Sequence, residues 1–430
     1  MKIEAHKSRL KGTVAIPASK SHTIRAVAIT SLAAGESLIH NPLDSSDAQA
    51  AVTSYRALGA TIDTSDPKLW RVTGTDGRIT TPKEIIDVGN SGTTLRVAMG
   101  SAALAGQDQK ITFTGDEQIQ ARPVGPLINS LNDLGAKVGS VRNNGKAPVE
   151  ITGKLAGGKT TIAALTSQYV SSLLLCTPLA ANDTEVEVTV LNEPGYIQMT
   201  LDWLDKQQIE YSNQQMRRFT IKGNQSYKAF EASVPADFSS ATFFLCAAAL
   251  VGDEVTLLGL DFSDSQPDKA VVDYLKAMGA DIEIESDSIT VKASALQGTE
   301  IDMNKTPDAL PAMAVTAAFA EGTTKLLNVP QARSKETDRI KCMAEELKKM
   351  NGEVEELADG LIIRHSKLKP SPFLHGWADH RIVMALSLAG LVLDESCVID
   401  TAEAINVTFP SYVELMKSIG AKMELRSASN

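Results

Sequence analysis

Seven short polar clusters carry the residue types that could do chemistry. They are Ser19-Lys20-Ser21-His22-Thr23-Ile24-Arg25, Gly89-Asn90-Ser91-Gly92-Thr93-Thr94-Leu95-Arg96, Gln120-Ala121-Arg122-Pro123, Thr166-Ser167-Gln168, Lys305-Thr306-Pro307-Asp308, Arg333-Ser334-Lys335-Glu336-Thr337-Asp338-Arg339 and Asp379-His380-Arg381. Helix N-termini offer unpaired N–H donors and partial positive charge, and an Arg fork grips carboxylate or phosphate with two parallel hydrogen bonds, so such clusters suit anions. Singly, each has an ordinary explanation: Ser, Thr and Asp cap helices, and a lone Arg is commonly solvated. All seven lie at the start of an apolar helix or just before an amphipathic one, and that shared position points to one site for more than one anion.

A further match points elsewhere. Gly153-Lys154-Leu155-Ala156-Gly157-Gly158-Lys159-Thr160 fits the G-x-x-x-x-G-K-[ST] phosphate loop of nucleotide hydrolases, which works only when the lysine opens a helix. Here Thr160-Thr161-Ile162-Ala163-Ala164-Leu165 follows, a β-branched run, so the expectation is a Gly-rich turn between strands.

The clusters are positioned by a unit that recurs about every 60 to 70 residues. In residues 13–74 it reads as a strand (Val14-Ala15-Ile16), an apolar helix over 24–33, a strand (Ser37-Leu38-Ile39), an amphipathic helix capped by Asp44-Ser45-Ser46-Asp47, and a hairpin ending at Gly74. The same β-α-β-α-β-β order restarts near residues 84, 160, 232, 300 and 373. The first helix of each unit is apolar all round, as in Ala241-Thr242-Phe243-Phe244-Leu245-Cys246, and should be buried. The second carries Lys, Glu and Asp on one face, as in Met343-Ala344-Glu345-Glu346-Leu347-Lys348-Lys349, and should lie outside. Gly59, Gly135, Gly279, Gly352 and Gly420 stand where a left-handed C-cap is needed. Six units in a chain of 430 residues imply an α/β protein of two similar domains, each of three units packed around buried helices, with function in the cleft between them.

Composition agrees with a folded chain, at 43% hydrophobic and 22% charged residues. The longest apolar runs fall short of the roughly 18 residues a bilayer span needs, and the N-terminus lacks the apolar core of a secretion signal, so the expectation is a cytoplasmic protein without a membrane partner. Cys176, Cys246, Cys342 and Cys397 show no C-x-x-C spacing and read as small, reduced core residues. A net charge of −10 argues against nucleic acid. It does not exclude phosphorylated metabolites, because Lys20, Arg25, Arg122, Lys335, Arg339 and Arg381 can form a local cationic site within an acidic surface.

Five of the clusters carry a resemblance. Ala18-Ser19-Lys20-Ser21 with Arg25, Gly89-Asn90-Ser91-Gly92-Thr93, Ala121-Arg122-Pro123, Lys335-Glu336-Thr337-Asp338-Arg339 and Asp379-His380-Arg381 resemble, in this order, motifs of the 5-enolpyruvylshikimate-3-phosphate synthase family, over residues 10–420. The resemblance implies the enolpyruvyl transferase fold, two domains of three βαβαββ units, divided as 1–19 plus 234–430 and 20–233. It implies transfer of the enolpyruvyl group of phosphoenolpyruvate to the 5-hydroxyl of shikimate 3-phosphate, with release of phosphate and without metal or organic cofactor. The expected partners are these two small molecules, and the expected state is a monomer. By the same resemblance, Lys20, Ser21, Arg25, Thr166, Ser167, Tyr196, Asp308, Gln331 and Lys335 contact shikimate 3-phosphate. Lys20, the Gly92 backbone, Arg122, Gln168, Arg339 and Arg381 hold phosphoenolpyruvate. Asp308 accepts the hydroxyl proton, and Glu336, with Lys20 and His380, handles protons at the enolpyruvyl group. Each also has a plainer role open to it: Asp308 as a helix cap, Glu336 as an N-cap partner, His380 as a core or capping histidine. A bare Gly92 is the feature that accompanies glyphosate sensitivity in the family.

Two positions depart from the family's pattern. Val407 stands where several members carry a lysine before Thr408-Phe409-Pro410, and Asn192-Glu193-Pro194-Gly195 replaces a Ser-containing segment that supplies a phosphate contact. The alternatives are the sister enzyme acting on UDP-N-acetylglucosamine, whose reactive Cys position is Glu117 here, and a relative that binds without catalysis.

Overall fold

An all-round apolar helix can be hidden only by protein on every side, and the chain meets that demand by alternating such helices with amphipathic ones and covering them with sheets. The computed structural model describes residues 1–371 and 373–427. Among them run α1 (Lys20–Leu32), α2 (Ser46–Ala57), α3 (Gly92–Ala102), α4 (Glu117–Ala121), α5 (Gly125–Asp133), α6 (Ser167–Cys176), α7 (Pro194–Lys206), α8 (Phe238–Val251), α9 (Ala270–Ala277), α10 (Leu310–Phe319), α11 (Arg339–Lys349), α12 (His380–Val392) and α13 (Tyr412–Ser418). The contacts divide into two units, residues 1–17 with those from Pro235 onward, and Ala18–Val234. Ser19 goes with the second because it caps α1, its Oγ accepting from the His22 amide at 3.4 Å.

In the Ala18–Val234 unit α1, α3 and α6 are buried almost throughout, and in the other unit α8, α10 and α12 are. The remaining long helices bury one face, as α11 does with Ile340, Met343, Ala344 and Leu347. Glu346 breaks that pattern. Expected on the outer face, it is fully buried, because it holds the loop before α12 by accepting from the His375 amide (3.0 Å) and Trp377 Nε1 (2.9 Å). The left-handed caps stand as expected at Gly59, Gly135, Gly279 and Gly420, with φ of 114°, 100°, 90° and 101°. In the fifth repeat the left-handed residue is Asn351 (φ 67°) rather than Gly352. Asn tolerates that conformation through its short polar side chain.

Six sheets lie among the described residues, three per unit. Five share one plan, a parallel pair followed by two antiparallel strands; one of them is Glu300–Asp302, Thr323–Leu327, Gly360–Arg364 and Glu353–Leu357. Two strands lie in different sheets from those the repeat order assigns. The strand Leu10–Ala15 precedes α1 in the chain but pairs with Gly252–Leu258, Val14 opposite Leu257. Glu231–Ser233 precedes α8 but pairs with Glu36–His40, Ala232 opposite Ile39. The first and fourth repeats thus exchange their opening strands, which a period-2 pattern cannot reveal because it shows a strand's faces and not its neighbour. The sixth sheet is completed by the N-terminal strand Lys2–His6, set between Cys397–Ile399 and Lys422–Arg426.

Lys159 lies in the strand Gly158–Ala164, opposite Glu185, so no helix follows it and the nucleotide-hydrolase loop is excluded. The four cysteines are buried free thiols. Among the described residues no helix is long and apolar enough to cross a membrane.

Gly390, inside α12, tests how tightly a buried helix meets its sheet. Gly→Ala in a helix interior normally stabilises by about 1 kcal/mol, but a Cβ here would stand 2.7 Å from both Cβ and O of Ala5. Backbone cannot step aside as a side-chain tip can, and overpacking costs roughly 1–3 kcal/mol. Gly390→Ala should therefore lower the urea midpoint; a raised midpoint would mean that helix and strand have room to part.

Candidate active site

In the Ala18–Val234 unit the polar clusters gather at helix starts. The Ser19 cap begins α1 four residues earlier than the apolar run suggests, which places Lys20 and Ser21 in its first turn. Lys20 Nζ lies 3.0 Å from Asp47 Oδ2, in the first turn of α2. Arg25, one turn further along α1, is buried, and burial brings its pKa down to about 10, leaving it charged at neutral pH. Its Nε donates to Thr200 Oγ1 (2.9 Å), NH1 to the Ser21 carbonyl (2.9 Å) and NH2 to the Tyr196 carbonyl (2.9 Å). Ser21 and Tyr196 thus meet Arg25 through their main chains.

Gly92 is the first residue of α3, and a Cβ built on it would stand 2.5 Å from Arg96 NH1 and 2.7 Å from Arg122 NH1. Arg122 caps α4, a short helix the repeat pattern does not contain, and donates to Asn90 Oδ1 at 3.2 Å. Gln168 accepts from Arg96 NH1 (2.8 Å) and donates to Thr93 Oγ1 (3.0 Å). The fold therefore brings Gly92, Arg122 and Gln168 together, with Arg96 as the linking cation. At the start of α6, Thr166 and Ser167 both donate to a single acceptor, Oε2 of Glu193.

The other unit is organised around Arg339, the first residue of α11, whose side chain is 1% exposed. Its Nε and NH2 clasp Asp379 at 2.8 and 3.2 Å, NH1 donates to Asp308 Oδ1 at 2.8 Å, and NH2 also meets Glu336. Arg381 NH2 reaches Asp308 Oδ2 at 3.1 Å, and Lys335 Nζ lies 4.0 Å from Oδ1. Burial pushes the Asp308 carboxyl up, but Arg381, then Lys335 and Arg339, outweigh it and hold the group far below the usual carboxylate range. Burial likewise lowers Arg339, and Asp379, Glu336 and Asp308 more than reverse this. His380 opens α12, buried, its Nδ1 3.9 Å from Asp379 Oδ1. Gln331 donates to the Asn304 carbonyl at 2.9 Å.

The capping alternatives do not fit. Asp308 faces two arginines, and α11 is capped by Asp338, which accepts from the Lys341 amide at 3.0 Å, not by Glu336. The cap of α12 is Asp379, leaving His380 in the helix's first turn. Residue types alone left several partners without a role: Asp379, Asp47, Arg96, Thr200 and Glu193. Asp379 carried a local signal, standing two residues before the buried Arg381, but Asp47, Thr200, Glu193 and Arg96 meet their partners 27, 175, 26 and 72 residues away and leave no local trace. Among the described residues no three His, Cys, Asp or Glu side chains are placed to hold a metal ion.

Comparison with known proteins agrees over nearly the whole chain. The sequence profile described as EPSP synthase (3-phosphoshikimate 1-carboxyvinyltransferase) matches residues 5–416. A 3-phosphoshikimate 1-carboxyvinyltransferase of Acetivibrio thermocellus is 53% identical, covering 98% of this chain and 99% of that one. One of Ruminiclostridium cellulolyticum is 51% identical, covering 99% and 100%. Among solved structures, an EPSP synthase of Acinetobacter baumannii superposes with a TM-score of 0.82 at 26% identity, covering 99% of this chain and 100% of that one.

The Asp308 cluster has a consequence for acid stability. The native pKa lies below the unfolded value of about 3.9, so the stabilisation is full above that value and is lost as pH falls towards the native pKa. Asp308→Asn should flatten the decline of the unfolding midpoint from about pH 4 down to about pH 2.5. A variant whose acid decline parallels the parent's would place the clamp elsewhere.

Proposed function

The chain belongs to the EPSP synthase family, and on that premise we propose that its two groups of cations hold the two anionic substrates while Asp308 receives the proton. The protein is a transferase of the shikimate pathway of aromatic amino-acid biosynthesis: it moves the enolpyruvyl group of phosphoenolpyruvate onto the 5-hydroxyl of shikimate 3-phosphate and releases phosphate. The observation that carries the residue assignment is the meeting of Arg339, Arg381 and Lys335 at one carboxylate.

In this reading Lys20, the Gly92 amide, Arg122, Gln168, Arg339 and Arg381 take phosphoenolpyruvate. Ser21, Arg25, Thr166, Ser167, Tyr196, Gln331 and Lys335 take shikimate 3-phosphate. The cations of the Asp308 cluster hold its carboxylate ionised and weakly basic while no substrate is bound. Substrate anions compete for the same guanidinium and ammonium groups, and as they draw them away the carboxylate becomes a better base. Asp308 then accepts the hydroxyl proton as the oxygen bonds to the enol carbon. Glu336, with His380 and Lys20, supplies a proton to the methylene and later removes one from the resulting methyl, as the bond between the former enol carbon and the phosphate oxygen breaks and phosphate leaves. Cations already in place stabilise the charge that develops without reorganising.

The assay is phosphate release from phosphoenolpyruvate and shikimate 3-phosphate in the absence of ATP and divalent metal. Asp308→Asn should lower kcat by about 10²–10⁴, and Arg122→Ala should raise the KM for phosphoenolpyruvate well before that for shikimate 3-phosphate. Full turnover by Asp308→Asn would remove Asp308 as the base. Glyphosate should inhibit, and Gly92→Ala should weaken that inhibition, because its Cβ would press on Arg122 and Arg96; unchanged sensitivity would take Gly92 out of the site.

A further inference from the structure

Glu193 is an acid where the family's resemblance calls for a hydroxyl. It is 1% exposed and sits at the N-cap of α7 in the left-handed conformation (φ 56°), followed by Pro194. One of its oxygens, Oε2, accepts from Ser167 Oγ at 2.7 Å, from the Ser167 amide at 3.1 Å and from Thr166 Oγ1 at 3.1 Å. These donors open α6, a ten-residue helix whose N-terminus already favours negative charge. Thr166 and Ser167 are also among the groups assigned above to shikimate 3-phosphate. A carboxylate of the protein therefore occupies the donors that a substrate anion needs.

We infer that Glu193 is a built-in competitor for the phosphoryl group of shikimate 3-phosphate, and that its displacement from Thr166 and Ser167 sets the selectivity of this subsite for a phosphoryl dianion over a carboxylate. The inference rests on the assignment of these donors under the proposed function. An incoming monoanion offers the donors no more than Glu193 already does, whereas a phosphate brings about −1.5 to −2 charges and three acceptor oxygens. Arg25 lies beside the same elements, bonded to the Tyr196 carbonyl of α7 and, at 3.4 Å, to Ser171 Oγ of α6. Arg25 donates to neutral oxygens, so its charge also favours the more highly charged ligand.

The test compares the parent chain with Glu193→Gln, which keeps the shape and removes the charge, and Glu193→Ala. Binding of inorganic phosphate and of shikimate 3-phosphate is measured by isothermal titration, and the KM for each substrate by phosphate release. Both variants should bind inorganic phosphate and shikimate 3-phosphate about tenfold more tightly, while the KM for phosphoenolpyruvate stays within about twofold. A purely structural cap would lower the thermal midpoint and leave shikimate 3-phosphate affinity unchanged or weaker, and that result overturns the inference. If no chain turns over shikimate 3-phosphate but the variants gain phosphate affinity, the proposed function fails and, with it, the assignment of the ligand, while the competition of Glu193 with a phosphoryl group at Thr166 and Ser167 stands.

Discussion

A guanidinium at 1% exposure must find a partner for nearly every donor, and Arg339 finds three carboxylates. Leaving such a charge uncompensated costs several kcal/mol, about 3–5 when one partner is removed. The partners come from separate stretches of chain: Asp308 from the turn entering α10, Glu336 from the segment entering α11, Asp379 from the cap of α12. Satisfying Arg339 therefore fixes where three helices begin relative to one another. Asp379 has a double duty, since its Oδ1 also accepts from the Arg381 amide at 2.9 Å and so caps the helix that carries Arg381. Behind it, buried Glu346 holds the loop containing Trp377 and Ala378, whose φ values of 58° and 50° need outside support.

In the Ala18–Val234 unit Lys20 is paired with Asp47, but the buried arginines Arg25 and Arg96 are met differently. Arg25 is met by hydroxyl and carbonyl oxygens, which satisfy donors without cancelling charge, so the positive potential remains for a ligand. Arg96 leans on the Tyr169 ring, 5.7 Å from its centroid, and on the Pro123 carbonyl at 3.3 Å, which leaves its charge likewise directed at the start of α3. The contrast lies between individual arginines: Arg339 is enclosed by carboxylates, whereas Arg25 is enclosed by neutral oxygens.

The acidic balance of the chain and its handling of anions are compatible because these cations are withdrawn from the average surface. Lys20 is 15% exposed, and Arg25, Arg122, Arg339 and Arg381 are buried, whereas paired surface acids such as Glu300 and Asp394 face water. Potential at a site depends on the nearest unscreened charges, and those of the exposed acids are screened within about 10 Å.

The repeated periods of apolar residues determined by themselves that six helices would be buried and six would lie outside, since burial follows from how many faces of a helix are apolar. The clusters at helix starts were also legible, because capping chemistry and anion binding call on the same residue types and leave a local trace. What the order of residues does not contain is which strand stands beside which. Leu10–Ala15 and Glu231–Ser233 read as the openings of their own repeats, yet each completes the sheet of another. Nor does it contain the partners of a buried charge: Asp379 and Glu193 looked like a helix cap and a family departure until folding set them against Arg339 and Ser167. The physical reason is the same in both cases. Faces and caps are local properties of a few neighbouring residues, while sheet neighbours and charge partners are chosen across hundreds of residues by packing alone.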